Sequence, residues 1–207
     1  MRNYDSLRRV LDSLETSETP SSSGTHEITL YRAVALRYLW GNPSPQPLYA
    51  DGAAIIGARF TPRGASEMRS LYFAAEAETC LYEVLPQYLL NRRKRPPKFD
   101  AFPPIVLLSA TVSLLRVIDI TDADVQKQLE TNRTELRAGW RIQQEKEETP
   151  TQRLGRAVFD CGIQAIRYES ARWAGHFCYA VFPELLTGDA YTELFDPQNL
   201  IPQRWSA

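Results

Sequence analysis

Arg32, Arg59, Glu83 and Ser170 are the residues of this sequence whose types and settings could do chemistry. Arg32 and Arg59 stand inside apolar or strand-like stretches, where an unpaired guanidinium is expensive, so each needs a partner. That partner is either a carboxylate, in a structural salt bridge, or an anionic ligand such as a phosphate, which the planar guanidinium grips with paired, charge-assisted hydrogen bonds. The residues alone leave both open. Glu83 falls in a helical run, and a phase of about 100° per residue groups it with Glu76, Thr79 and Gln87, away from a stripe of Leu81, Val84 and Tyr88. It is a solvated helix glutamate unless that polar face lines a cleft. Ser170 opens a loop between apolar strands, where an isolated serine serves as a turn or cap residue. No nucleophile elbow, Walker sequence, dinucleotide glycine fingerprint or zinc-protease helix occurs, so any phosphate must be held by side chains.

The elements that must position these residues follow from periodicity. Tyr4 to Leu14 places Leu7, Val10, Leu11 and Leu14 at helical spacing, predicting a short amphipathic helix on the outside of the domain; the Ser- and Thr-rich Thr16 to Thr25 is a linker. Ile28 to Val34 brings Arg32 in on an edge or first strand. A proline-rich loop follows, then an extended segment carrying Arg59 into a turn at Gly64, which can take a positive φ. Leu71 to Phe73 is a short strand, and Ala75 to Leu90 a helix that Pro86 bends or divides. Ile105 to Leu108 and Val112 to Ile118 read as two buried strands and Asp122 to Leu129 as a short helix. Arg133 to Glu148, highly charged around Trp140, reads as a mobile flap. Thr149 and Pro150 open a helix in the favoured cap-then-proline order; it runs to Asp160 and stops at Gly162. Ala165 to Tyr168 and Phe177 to Phe182 read as the last strands. Strands and helices without a regular βαβ rhythm point to an α+β fold.

Composition narrows the function classes. A chain of 207 residues with formal charge −1 can bury a core of its own and gives no bulk electrostatic case for nucleic acid or membrane. The run Arg92, Arg93, Lys94, Arg95 and Lys98 is a solvated loop or helix end, or else a site for a phosphate or acidic partner. Cys80, Cys161 and Cys178 are widely spaced among apolar neighbours, as reduced buried thiols of a cytoplasmic protein are. His26 and His176 do not complete a metal-ligand spacing, so no metal is expected. No signal-peptide core or membrane-length apolar run is present.

The pattern resembles the RES domain family, named for an arginine, a glutamate and a serine. The resemblance starts at Leu30-Tyr31-Arg32-Ala33, continues through Gly57 to Gly64 and Leu71 to Ala74, and closes its first block at Leu81-Tyr82-Glu83-Val84. Thr151 to Gly155 and Ile166 to Arg172 are similar to the second, weaker block, with Ser170 as its serine. It covers about Ile28 to Pro183. Residues 1–25 then form an N-terminal helix and polar linker, and residues 26–207 the RES domain, with insertions at about 38–55 and 130–148 that depart from the family pattern. Ala58 also stands where a second glycine is frequent.

The resemblance implies an ADP-ribosyltransferase-like mixed sheet with flanking helices, and a toxin that depletes NAD by cleaving the nicotinamide–ribose bond, with phosphate or water as acceptor. It implies a helix-turn-helix antitoxin as partner and allows self-association, with no direct contact to nucleic acid. Cleavage builds positive charge on the ribose, which a nearby carboxylate stabilises. On this reading Glu83 faces the sugar and Arg32 and Arg59 bind the diphosphate. Ser170 bonds the ribose or the nicotinamide amide, and Tyr72 packs against the nicotinamide ribose or fills the core. Modification of a cellular protein by ADP-ribose transfer, and non-catalytic nucleotide binding, are the alternatives.

Overall fold

The computed structural model describes residues 1–14, 16, 27–39, 47–85, 104–198 and 204–206. The basic run and Pro86, with the second half of the helix expected over Ala75 to Leu90, lie outside these residues.

Eight strands form one sheet: β1 (Glu27–Ala35), β2 (Leu71–Ala74), β3 (Ile105–Ser113), β4 (Val117–Asp119), β5 (Ala165–Glu169), β6 (Phe177–Val181), β7 (Tyr191–Leu194) and β8 (Arg204–Ser206). Their order is β4-β5-β6-β2-β1-β3-β7-β8, and every pair is antiparallel except β4 with β5. The helices are α1 (Tyr4–Ser13), α2 (Asp51–Ile56), α3 (Ala77–Val84), α4 (Ala123–Gln128), α5 (Arg133–Arg137), α6 (Trp140–Gln143) and α7 (Pro150–Asp160). The fold is therefore mixed α+β, a central sheet flanked by helices.

The sheet separates two apolar clusters. One holds Phe60, Ile118, Leu154, Val158, Ile166 and Phe182 under α1 and α7; the other holds Leu30, Leu71, Val112, Leu114, Val181 and Leu186. α1 is more than an outer appendage, because Leu7 and Leu11 are fully buried in the first cluster. α7 starts as its sequence dictates: the Thr149 hydroxyl accepts from the Gln152 amide, the Gln152 side chain accepts from the Thr149 N–H, and Pro150 needs no partner for a missing N–H. Gly155 lets α7 touch the arginine-bearing turn, since a Cβ there would run into the Phe60 carbonyl oxygen.

Several expectations need correction. β1 is an interior strand, paired with β2 on one side and along its whole length with β3 on the other. The two apolar runs expected between 105 and 118 divide differently, as one long strand, β3, and the short β4. β7 and β8 follow the segments expected to be last. The segment 133–148 is folded into α5 and α6 and anchored: Leu136 is buried, Arg63 pairs with Glu145 at 2.8 Å, and Gln144 donates to the Ile56 carbonyl at 3.3 Å. Among the described residues no helix is long and apolar enough to cross a membrane.

Candidate functional site

Arg32 sits mid-strand on β1, and its guanidinium donates to three backbone carbonyls: Nε to Pro47 at 3.1 Å, Nη1 to Tyr72 at 3.1 Å and Nη2 to Tyr49 at 3.0 Å. Pro47 and Tyr49 lie in the segment leading into α2, which thus packs its backbone against the arginine. Arg59 lies in the turn leading from Gly57, whose φ of 81° a side chain would resist, and its Nη1 donates to the carbonyls of Leu136 at 2.7 Å and Ala138 at 3.0 Å. Neither arginine has a carboxylate partner among the described residues. The carbonyls fix the two side chains in place and leave their charges unneutralised.

Glu83 lies on α3, which packs its Thr79 and Cys80 against the sheet and leaves Val84 41% exposed. The expected stripe of Leu81 and Val84 is therefore not the most deeply packed face; the helix turns the side bearing Thr79 and Glu83 inward. Glu83 is half-buried, and its Oε1 accepts a hydrogen bond from the Ser170 hydroxyl. Ser170 is fully buried at the end of β5, where its Oγ also accepts from the backbone N–H groups of Arg172 at 3.2 Å and Trp173 at 2.9 Å. Its hydroxyl thus faces Glu83 rather than the open cleft. The His176 imidazole is engaged with Glu76, and among the described residues no histidine ring bonds the serine hydroxyl, the His176 carbonyl accepting only from the Ser170 backbone N–H at 2.8 Å. Tyr72, on β2, holds the Arg59 turn through its hydroxyl, which accepts from the Phe60 N–H at 3.0 Å.

These residues converge on a cavity of about 500 Å³ walled by Arg32, Arg59, Tyr72, Glu83, Trp140, Arg141 and Arg172, among others. Four arginines and one carboxylate, Glu83, line it among the described residues. Such a balance attracts anions. Burial lowers the Arg32 pKa to about 10, the neighbouring Cys80 opposing, so the cation persists at neutral pH. Burial pushes the Cys80 thiol up to about 11 and raises the Cys178 thiol further, which keeps both cleft cysteines protonated. Tyr72 is likewise raised by burial, its hydrogen bonds opposing. No cluster of metal-ligating side chains occurs among the described residues.

Arg141, Arg172 and Trp140 were not singled out by the sequence. Arg172 braces the end of α3 by donating to the Tyr82 carbonyl at 3.2 Å and to that of Leu85. Arg141 and Trp140 sit on α6, inside the segment whose charge concealed its fold. The adjacency of Arg172 to Ser170 was the one available signal.

The RES domain model matches residues 29–196, and the chain belongs to the RES domain family. The crystal structure of the M. tuberculosis MbcT-MbcA toxin-antitoxin complex contains a chain similar to this one in fold, with a TM-score of 0.61 at 19% identity over 86% of this chain and 81% of that one. No curated protein sequence matches the chain.

Proposed function

We propose that this chain is a toxin that destroys NAD, using an ADP-ribosyltransferase-like arrangement of the sheet. The observation that carries the proposal is the cleft itself: one serine-held carboxylate, Glu83, faces a wall of arginines that have no carboxylate partners among the described residues. A dinucleotide supplies what such a cleft lacks, two negative charges next to a sugar.

In the reaction, the bond between the nicotinamide nitrogen and the ribose C1′ breaks, and its electron pair leaves with neutral nicotinamide. Positive charge grows on C1′ and the ring oxygen, and the Glu83 carboxylate stabilises it. Glu83 Oε2 has no hydrogen-bond partner among the described residues, which leaves it for a ribose hydroxyl or for the incoming nucleophile. Ser170 is a positioning residue, since its hydroxyl fixes Oε1. Arg32 and Arg59 neutralise phosphate oxygens, and Tyr72 packs beside the ribose. Water or phosphate then bonds to C1′, and water gives up a proton as it does so.

The fold likeness to a chain from a toxin-antitoxin complex supports a cognate antitoxin for this protein; a helix-turn-helix domain on that antitoxin and a cytoplasmic site of action belong to the proposal through the family resemblance. Incubating the purified protein with NAD, with and without inorganic phosphate, and weighing the products tests the reading. Nicotinamide with ADP-ribose identifies water as acceptor, and nicotinamide with phosphorylated ADP-ribose identifies phosphate. Intact NAD under both conditions contradicts the proposal. ADP-ribose mass found on an added protein would establish the transferase alternative instead.

A further inference from the structure

A second cavity, of about 630 Å³, adjoins the first and shares Arg32, Tyr72, Trp140 and Arg141 with it. Each volume falls in the range of about 300–1,000 Å³ typical of small-molecule sites. Glu83 and Arg59 line only the first chamber; Tyr38, Tyr49 and Ala53 line only the second. The shared residues, which also include Ala33 and Ala58, form the passage between them, and two of them are arginines. Arg141 is exposed, lies 5.4 Å from the Trp140 ring centroid, and has no ion pair among the described residues.

We propose that the second chamber seats the adenosine half of the substrate, with the diphosphate lying in the passage between Arg32 and Arg141. The inference rests on the NAD-cleaving reading above and refines it, for it moves the second diphosphate contact from Arg59 to Arg141. Its logic is linear. The ribose to be cleaved must meet Glu83, so the nicotinamide half occupies the first chamber. The diphosphate leads away from that ribose, and the passage is where the cleft continues, with two cations at its walls. What lies beyond must accept a nucleoside, and the second chamber offers a flat aromatic wall: the Tyr38 and Tyr49 rings stack at 6.0 Å between centroids and 17° between planes. Every base presents a π-face to such a wall. The Arg63–Glu145 pair also lines this chamber and offers polar groups to a base edge or ribose hydroxyl. Tyr49 has two tasks, because its carbonyl also holds Arg32 in the passage.

The test is titration calorimetry of the full chain with 5′-AMP, set beside NAD turnover. Arg141→Ala, a change at an exposed side chain, should weaken AMP at least 10-fold and raise the KM for NAD by a similar factor, while kcat stays within threefold. Ala53→Trp, which fills the second chamber, should abolish AMP binding and leave inhibition by nicotinamide unchanged. Thermal unfolding of both variants within a few degrees of the parent is part of the expected result; if Ala53→Trp fails to fold, Arg141→Ala decides alone. If the parent consumes NAD but AMP affinity and the KM for NAD stay within twofold in the variants that fold, the inference is wrong and the NAD reading stands. If the parent leaves NAD intact yet binds AMP, and the variants lose that binding, the chamber holds a nucleotide and the NAD reading alone fails.

Discussion

The Ser170 hydroxyl donates to Glu83 Oε1 across 87 positions of sequence, joining the end of β5 to the inward-turned side of α3. Two N–H groups from the chain after β5 fix the same oxygen of the serine, so its proton has one acceptor to aim at. The carboxylate is thereby held at a chosen orientation before any substrate arrives. Pre-set electrostatic groups cost no reorganisation when charge develops, which is why this small linkage matters for rate.

Ser170→Ala removes that restraint and strips an acceptor from the N–H groups of Arg172 and Trp173. We expect a loss in stability of about 1–3 kcal/mol from the buried groups left unpaired, and a fall in kcat of roughly 100-fold from a misplaced carboxylate. The KM for NAD should change little, because the serine does not reach the diphosphate. Steady-state kinetics and urea unfolding of the variant measure the two effects separately, and an unchanged kcat would remove Ser170 from the account.

Arg32 gives the cleft its pH dependence. Its folded-state pKa of about 10 lies below the ordinary guanidinium value because burial penalises the cation. Between those values the unfolded chain holds the extra proton, so stability contributed by this group rises with pH across that window; below about 10 the fold carries the cost of an under-solvated charge. Ligand binding runs the other way. The KM for NAD should be flat from about pH 7 to 9 and climb as Arg32 loses its proton near pH 10. A KM profile over that range checks it, and a flat line through pH 10 would show that Arg32 carries no phosphate.

Gly155 decides how closely α7 approaches the turn that carries Arg59. A Cβ there collides with the backbone of Phe60, which cannot swing aside as a side chain would. Gly155→Ala should therefore cost about 3 kcal/mol, as overpacking of a tight contact does, and lower the melting temperature by roughly 10 °C in a chain of this length. Calorimetry reads the shift. Turnover by the fraction still folded should also drop, since the displaced turn takes Arg59 with it.

Much of this site could be read in the sequence, and the reasons differ by residue. Arg32 and Arg59 stood out because charge in apolar or strand-like surroundings demands an explanation, Glu83 only through the family resemblance, and all three line one cleft. α7 was equally plain, since a Thr149–Gln152 capping box with proline after the cap is a local signal needing no tertiary context. What failed was whatever depends on distant partners. β1 read as an edge or first strand; it is the first in the chain but not an edge, and nothing local states that both β2 and β3 pair with it. The segment around Trp140 read as a mobile flap because its charge masks short helices fixed by Arg59 and Arg63, about 80 residues earlier. The phase of α3 was only partly right, as Thr79 and Cys80 and not Leu81 and Val84 make its deepest contacts. The direction of the Ser170 hydroxyl is a matter of three-dimensional packing that no spacing encodes.

The most direct test compares nicotinamide release from NAD by the parent chain and by Glu83→Gln, a change that keeps the shape of the side chain and the hydrogen bond from Ser170 while removing the negative charge. The account predicts brisk release by the parent and a rate at least about 1,000-fold lower in the variant, in keeping with the loss of a major electrostatic stabiliser, with NAD binding and melting temperature nearly unchanged. Equal rates in the two proteins, or no release by either, would contradict it.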